Sequence, residues 1–311
     1  VGTHALLSES ERARTKGYIV NKFRGDPALF DDALEIIKDN TGLDCFGVIP
    51  FFDDARLLPK EDAVSIGYEA ADAETIIKIA VPRLSRIANF DDLDALKSEP
   101  SVELVMVPPD TPIPVVDMIV LPGSKATIAD LGFIREQGWD IDIIAHHRRG
   151  GTVLGICGGY QMLGRSIDDP LGIEGAAGRV KGLDLLDVET VLTDDKRVSQ
   201  MQGRALDAGF EGYEIHIGQT TGPDTTRPFA MLGEGHADGA RSADGTVMGT
   251  YCHGLLESGP LRRALLAKID APSHAQPHAD RVDAALEDIA ATLEEALDID
   301  GLIALARENV I

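Results

Sequence analysis

Cysteine is scarce in this chain: Cys45, Cys157 and Cys252 lie far apart, and no C-x-x-C pair occurs. Thiols this few and scattered exclude a disulfide framework and a thiolate metal centre, so a reducing cytoplasm and no resident metal are expected. Long apolar runs are missing too. Nothing approaches the roughly 20 consecutive apolar residues of a membrane span. The opening VGTHALLSESERARTKG lacks the apolar centre of a secretion signal and the composition of a transit peptide. A soluble protein with no membrane partner is therefore expected. Positive charge is short as well, with 29 Lys and Arg against 52 Asp and Glu and a formal charge of −23. Such a surface repels phosphates, which argues against nucleic acid or an anionic membrane as partner. The acids run along the whole chain rather than collecting in a tail. That is the pattern of a salt-adapted surface from a halophilic source, or simply of an acidic enzyme. No G-x-x-x-x-G-K-[ST] phosphate cradle occurs either, so if the protein uses a nucleotide, that loop is expected upstream of Val1.

What is present suits two domains. A chain of 311 residues, 44% of them hydrophobic, exceeds one ordinary core of about 100–200 residues. GYIVNKF (Gly17–Phe23) reads as a strand. Asp26 then serves as N-cap and Pro27 as first helical residue of a helix that Gly42 ends, and LDCFGVIPF (Leu43–Phe51) is a second strand. Strand, helix and strand make one βαβ unit of a parallel sheet, too little for a complete domain, so residues 1–72 are expected to be the end of a larger one. The loop NKFRGD (Asn21–Asp26) follows a strand end, where open α/β sheets bind ligands, though as a plain loop it needs none.

The pattern restarts near Ala73. Strands are expected at Asp72–Leu84, Val102–Val107, Asp117–Ser124, Thr152–Cys157, Leu183–Leu192 and Gly245–His253, with a helix over Asp140–Gly150. This is a second α/β domain, residues 73–270. The remainder, 271–311, begins polar and then carries Val282, Leu286, Ile289, Leu293 and Leu297 at helical spacing, which predicts one terminal helix packing back on the domain.

The stretch GTVLGICGGYQMLG (Gly151–Gly164) ends an apolar run on a cysteine among glycines. A strand, a sharp turn and a helix with the reactive residue at the turn form the nucleophile-elbow arrangement. Gly155, Gly158 and Gly159 permit close approach, the helix N-terminus favours a thiolate, and the Gly158 amide is placed to hold an oxyanion. A thiolate also needs a proton acceptor. Among eight histidines, His253 is best placed, at the end of a strand before Gly254, and His216 is second. Cys252 is expected to face the opposite side as core, and His146 and His147, beside arginines, to lie at the surface. Taken alone, these residues fit a Cys/His nucleophile and a buried inert thiol equally well.

The segments VLPGSKATIADL (Val120–Leu131), GICGGYQMLG (Gly155–Gly164), GLDLLDVETV (Gly182–Val191), GYEIHIGQTTG (Gly212–Gly222) and GTYCHGLLE (Gly249–Glu257) occur in this order. The set resembles the class I-type glutamine amidotransferase domain of the cobyric acid synthase family of cobalamin biosynthesis. KGYIVNKFRGD and GVIPF are similar to the end of that family's ATP-dependent, P-loop NTPase-like synthetase domain. The resemblance implies a flavodoxin-like α/β amidotransferase domain after a synthetase remnant. It implies Cys157 as the nucleophile that forms a γ-glutamyl thioester from L-glutamine, and His253 as the group that moves protons. The backbone amides of Gly158, Gly123 and Ser124 would form the oxyanion hole, and Gln161 would give local support or touch substrate.

The full-length reaction implied is amidation of the b, d, e and g carboxylates of adenosylcobyrinic a,c-diamide. That step needs ATP, Mg²⁺, a corrinoid and the upstream synthetase domain; the glutaminase step needs no cofactor. Many class I relatives have His-x-Glu, whereas here His253 is followed by Gly254 and Leu255. Either a dyad suffices or Glu257 or Glu214 orients the imidazole. The alternatives are a related glutaminase, of a cobyrinic acid a,c-diamide synthase or a cell-wall amidating complex, and an inactive regulatory module.

Overall fold

The computed structural model describes residues 1–52, 77–273 and 277–308. It divides into two compact units, one of residues 1–58 with 281 onward and one of residues 59–280. The boundary expected near Ala73 lies outside the described residues.

In the first unit, α1 (Gly2–Leu6) and α2 (Glu9–Arg14) precede β1 (Gly17–Phe23), α3 (Asp31–Thr41) and β2 (Asp44–Pro50). β1 and β2 pair in parallel, as a βαβ connection requires. The Asp26 side chain accepts from the Ala28 N–H at 3.0 Å. Pro27–Phe30 form a 3-10 turn into α3, and Gly42 ends that helix with φ of 69°. The carboxylate cap, the imino acid behind it and the left-handed glycine are the devices read from the sequence.

The second unit starts with β3 (Ile77–Pro82), β4 (Ile87–Ala88), α4 (Asp94–Lys97), β5 (Val102–Val107), β6 (Met118–Leu121) and β7 (Gly123–Ser124). Helices α5 (Thr127–Glu136) and α6 (Trp139–Arg148) lead to β8 (Thr152–Ile156) and α7 (Gly158–Leu163). Strands β9 (Ser166–Asp169), β10 (Gly178–Lys181), β11 (Glu189–Ala205), β12 (Ala208–Thr221), β13 (Ala230–Leu232) and β14 (His236–Asp238) follow. β15 (Ala240–Arg241), β16 (Val247–Thr250), β17 (Cys252–His253) and α8 (Gly259–Leu266) complete the unit.

Its main sheet runs β15-β16-β8-β6-β3-β5. Only β15 is antiparallel. In chain order the parallel strands read 2-1-3-4-5, the flavodoxin-like arrangement expected. Period-2 side chains bury both faces of the sheet. Met118 and Val120 join the core with Leu261 and Leu265 of α8, while Ile119 and Leu121 join the one with Leu131, Ile134, Trp139 and Ile143 of α5 and α6.

Three strands differ from expectation. The run Asp117–Ser124 leaves the main sheet after Leu121, and Gly123–Ser124 pairs with β4 in a separate two-stranded sheet. The apolar run from Leu183 becomes a strand only at Glu189. Before it, the amides of Leu183, Leu185 and Leu186 bond the carbonyls of Met162 and Leu163, saturating the end of α7, and Leu183 and Leu186 are buried there as a helix stop. The run Gly245–His253 is split at Tyr251 into β16 and β17, which belong to different sheets. β17 joins a second sheet, β10-β9-β11-β12-β17, built around the long β11–β12 hairpin. Alternation alone gives no warning of a strand that changes sheets.

The C-terminal segment forms two helices, α9 (His278–Ala296) and α10 (Ile299–Glu308), where one was expected. From residue 281 it groups with the first unit. A bridge between Gly47 and Leu297, and a 2.8 Å bond from the Asp298 N–H to the Phe46 carbonyl, tie it to β2.

Candidate active site

Cys157 occupies the corner between β8 and α7 with φ of 52° and ψ of −110°, strained for any residue but glycine. Three contacts hold the corner. A Cβ on Gly159 would lie 2.1 Å from the Leu121 carbonyl oxygen, and one on Gly155 would lie 2.7 Å from the Gly159 backbone. The Cys157 N–H donates to the Thr250 carbonyl at 2.8 Å. That last bond fastens the corner to the end of β16, two residues before β17, which carries His253.

The His253 side chain is fully buried and its Nδ1 lies 2.6 Å from Asp92 Oδ2. The other Asp92 oxygen accepts from the Gly254 N–H at 2.8 Å. Nε2 of the ring is buried with no hydrogen-bond partner. Burial pulls the His253 pKa down, but the bond to Asp92 and then the neighbouring Cys157 sulfur outweigh it, and the pKa is pushed up to about 10. Burial also pushes the Asp92 carboxyl up, against its bonds to His253 and the Gly254 amide. The arrangement is a Cys–His–Asp relay: a sulfur at a strained corner, an imidazole that it influences, and a carboxylate that fixes the far ring nitrogen.

Because His253 gains protons on folding, its stabilising contribution is complete below its ordinary pKa of 6.5 and is lost as the pH rises through about 10. The melting-temperature gap between wild type and His253→Gln is therefore expected to be widest in acid and to close over that interval. A gap that widens with pH would refute the assignment.

Asp92 was not foreseen, and neither carboxylate considered for its role holds the ring. Glu214 pairs instead with His216, Oε1 to Nε2 at 2.5 Å. Glu257 is half-buried, its pKa pushed up to about 7 by burial, then held back by Arg262 and raised further by Asp94, Asp91 and Asp92. In NFDDLDAL no local signal separates Asp92 from Asp91 or Asp94, and Asp92 stands 161 positions before His253.

The Gly123–Ser124 turn is brought to the corner. β7 pairs antiparallel with β4, and a Cβ on Gly158 would sit 3.0 Å from the Ser124 nitrogen. One on Gly123 would sit 3.4 Å from His253 Cε1. Gln161 is buried and fully engaged: it donates to the Ile217 carbonyl at 2.9 Å and to the Tyr251 hydroxyl at 3.2 Å, and accepts from Thr127 at 3.1 Å.

β12 closes the other side. The Cys157 thiol donates to the Ile215 carbonyl at 3.4 Å, and Tyr213 stacks on His253 with ring centres 5.3 Å apart. His216 stacks on Tyr251 at 3.8 Å. Cys252 is fully buried and its thiol reaches Asp238 at 3.4 Å, the core position expected. His146 is a correction: it is buried, not surface. Its ring fills the space where Gly151 has no side chain and its Nε2 lies 3.0 Å from the Thr152 carbonyl; burial lowers its pKa.

No group of three or more His, Cys, Asp or Glu among the described residues is arranged to hold a metal ion. No helix among them is long and apolar enough to cross a membrane.

Residues 78–261 match the family described as CobB/CobQ-like glutamine amidotransferase domain. Curated relatives include a cobyric acid synthase of Rhizorhabdus wittichii, 54% identical over 99% of this chain and 64% of the relative. One of Novosphingobium aromaticivorans is 54% identical over 98% of this chain and 62% of that protein. One of a Caulobacter species is 53% identical over 98% and 64%. The chain thus spans less than two thirds of the length of these relatives. The family match covers well over half of the chain and contains the strained cysteine, its histidine and its acid, and this chain belongs to the CobB/CobQ-like glutamine amidotransferase domain family.

Proposed function

We propose that this chain is the glutamine-hydrolysing part of a cobyric acid synthase, releasing ammonia from L-glutamine for the amidation of a corrinoid's carboxylates. The observation that carries the reading is Cys157 on a strained corner with the buried His253–Asp92 pair beside it. Cys157 Sγ attacks the side-chain amide carbon, and the oxygen, now negative, is met by the backbone amides of Gly158 and the Gly123–Ser124 turn. Asp92 keeps the proton on His253 Nδ1, so Nε2 is the nitrogen that takes the thiol proton; the pKa pushed up to about 10 holds that proton there as an imidazolium beside the thiolate until it passes to the departing ammonia. Water, deprotonated at the same nitrogen, then hydrolyses the thioester and restores the thiol. Gln161 supports the corner.

ATP and Mg²⁺ belong to the full-length amidation. Among the described residues no group of three or more His, Cys, Asp or Glu is arranged to hold an ion, and Arg24 in the loop after β1 is engaged on Phe51 at 3.8 Å. No step through the nucleotide is assigned to this chain, and an upstream synthetase domain would supply that chemistry.

Treating the full-length protein with an electrophilic glutamine analogue should label Cys157 once per chain. Cys252, fully buried, and Cys45, whose thiol donates to the Gly47 carbonyl at 3.3 Å, should stay unmodified. Equal labelling of the three overturns the glutaminase reading. Supplying the full-length protein with glutamine, ATP, Mg²⁺ and either cobyrinic acid or its adenosylated a,c-diamide should give amidation of the diamide alone. Amidation of cobyrinic acid instead would assign the chain to the a,c-diamide synthase reaction.

A further inference from the structure

The Gly123–Ser124 turn is held by a side chain that the mechanism above does not use. Asp130, in the first turn of α5, is fully buried. One of its carboxylate oxygens accepts from the Ser124 hydroxyl at 2.6 Å and the other from the Ser85 hydroxyl at 2.5 Å. Ser124 lies in β7, and Ser85 stands two residues before β4, the strand that β7 pairs with. The Ser124 hydroxyl also accepts from the Ala126 N–H at 3.0 Å, and the Lys125 N–H donates to the Arg86 carbonyl at 3.0 Å. One buried carboxylate therefore ties both strands of the ribbon that lies over Gly158.

The base of that carboxylate is also fixed. Thr127, the first residue of α5, donates to Gln161, and the Ile128 N–H donates to Glu174 at 2.8 Å. A buried acceptor with two hydroxyl partners and no solvent is a rigid support, since moving either strand would leave part of it unsatisfied. The ribbon lies close over Gly158, where an added Cβ would come within 3.0–3.1 Å of Ser124 and Thr127.

We propose that Asp130 is a positioning residue for the oxyanion-binding turn, its carboxylate setting through Ser124 and Ser85 where the Gly123–Ser124 backbone meets the negative oxygen of the tetrahedral intermediate. The inference rests on the glutaminase reading above. It makes Asp130 act on the transition state more than on glutamine binding or thiol reactivity, because neither of those develops charge at that turn.

The test is made on the full-length protein. Asp130→Ala is expected to lower kcat for glutamine hydrolysis about 10- to 100-fold with KM changed by less than about twofold, the scale of a displaced rather than deleted oxyanion donor. Alkylation of Cys157 by iodoacetamide, in which sulfur displaces iodide and no oxyanion forms, should proceed within about twofold of the wild-type rate. Ser124→Ala keeps the backbone and removes only the hydroxyl; it should lower kcat about tenfold with alkylation unchanged, and it carries the test if Asp130→Ala does not fold. Wild-type kcat in the variant that folds, or a fall in alkylation that parallels the fall in turnover, overturns the proposal. Cys157→Ala in the same assay separates the two possible failures. If it still releases ammonia, the glutaminase reading is wrong; if it is inert while Asp130→Ala and Ser124→Ala behave as wild type, only the role of Asp130 is lost.

Discussion

Asp92→Asn is expected to lower glutamine turnover by about 10²–10⁴, with the protein still folded. The reason is an orientation imposed by two partners. One oxygen of Asp92 accepts from the Gly254 N–H at 2.8 Å and the other faces His253 Nδ1 at 2.6 Å. An asparagine must keep its oxygen on the Gly254 amide, because that donor needs an acceptor. Its NH₂ group then faces Nδ1 and forces that nitrogen to accept, which places the imidazole proton on Nε2, the nitrogen that has to receive the thiol proton. The isosteric change therefore selects the inactive tautomer without leaving a cavity. Ammonia release at saturating glutamine checks it, and wild-type turnover would remove Asp92 from the mechanism. Glu257→Gln, at one of the two carboxylates the sequence offered, should leave the His253 contact intact and alter turnover far less.

Cys157→Ala is expected to give the largest loss, on the order of 10⁴–10⁶ in glutamine-dependent ammonia release, since no other group there can form the thioester. The corner itself should survive. Its shape comes from the close approach of Gly155 and Gly159 to neighbouring backbone and from the Cys157 N–H bond to Thr250, all of which are independent of the sulfur. Ammonium supplied directly at alkaline pH should still support corrinoid amidation by the full-length variant, which separates a lost nucleophile from a lost fold. Glutamine-dependent activity in Cys157→Ala would refute the nucleophile outright.

The Asp92→Asn prediction needs His253 and Asp92 together, and the two differ in how far the sequence marks them. His253 ends a strand just before a glycine, a local signal. Asp92 is one of three acids in a short segment, and its role depends on the packing that brings Leu93 and Leu96 into the core beneath the sheet. Glu214 and Glu257 were the nearer carboxylates along the chain. Glu214 is on the face of β12 that turns to His216, and Glu257 follows His253 by one 3-10 turn, out of reach of its ring nitrogens. Proximity in sequence was a poor guide because β17 ends within two residues and the chain turns away at Gly254, with φ of 70°.

His146 teaches the same lesson in reverse. Next to arginines in the last turn of α6 it looked like a surface residue, yet the missing side chain of Gly151 opens a slot for its ring and the Thr152 carbonyl supplies a partner. A polar residue is buried when a specific acceptor and a specific vacancy coincide, and both came from residues outside the helical pattern.

The sequence by itself determined the parallel α/β layout, the start and stop signals around α3, the strand–cysteine–glycine corner and the identity of the nucleophile and its histidine as candidates. These depend on short-range rules: side-chain period, glycine conformational freedom and the field at a helix start. Tertiary structure alone decided which acid holds the imidazole, that Asp130 ties the Ser124 turn to Ser85, that the run to His253 divides between two sheets, and that the terminal helices side with the first unit. Each of those is a contact between segments far apart in the chain, selected by which buried donors find acceptors, and no local pattern carries that information.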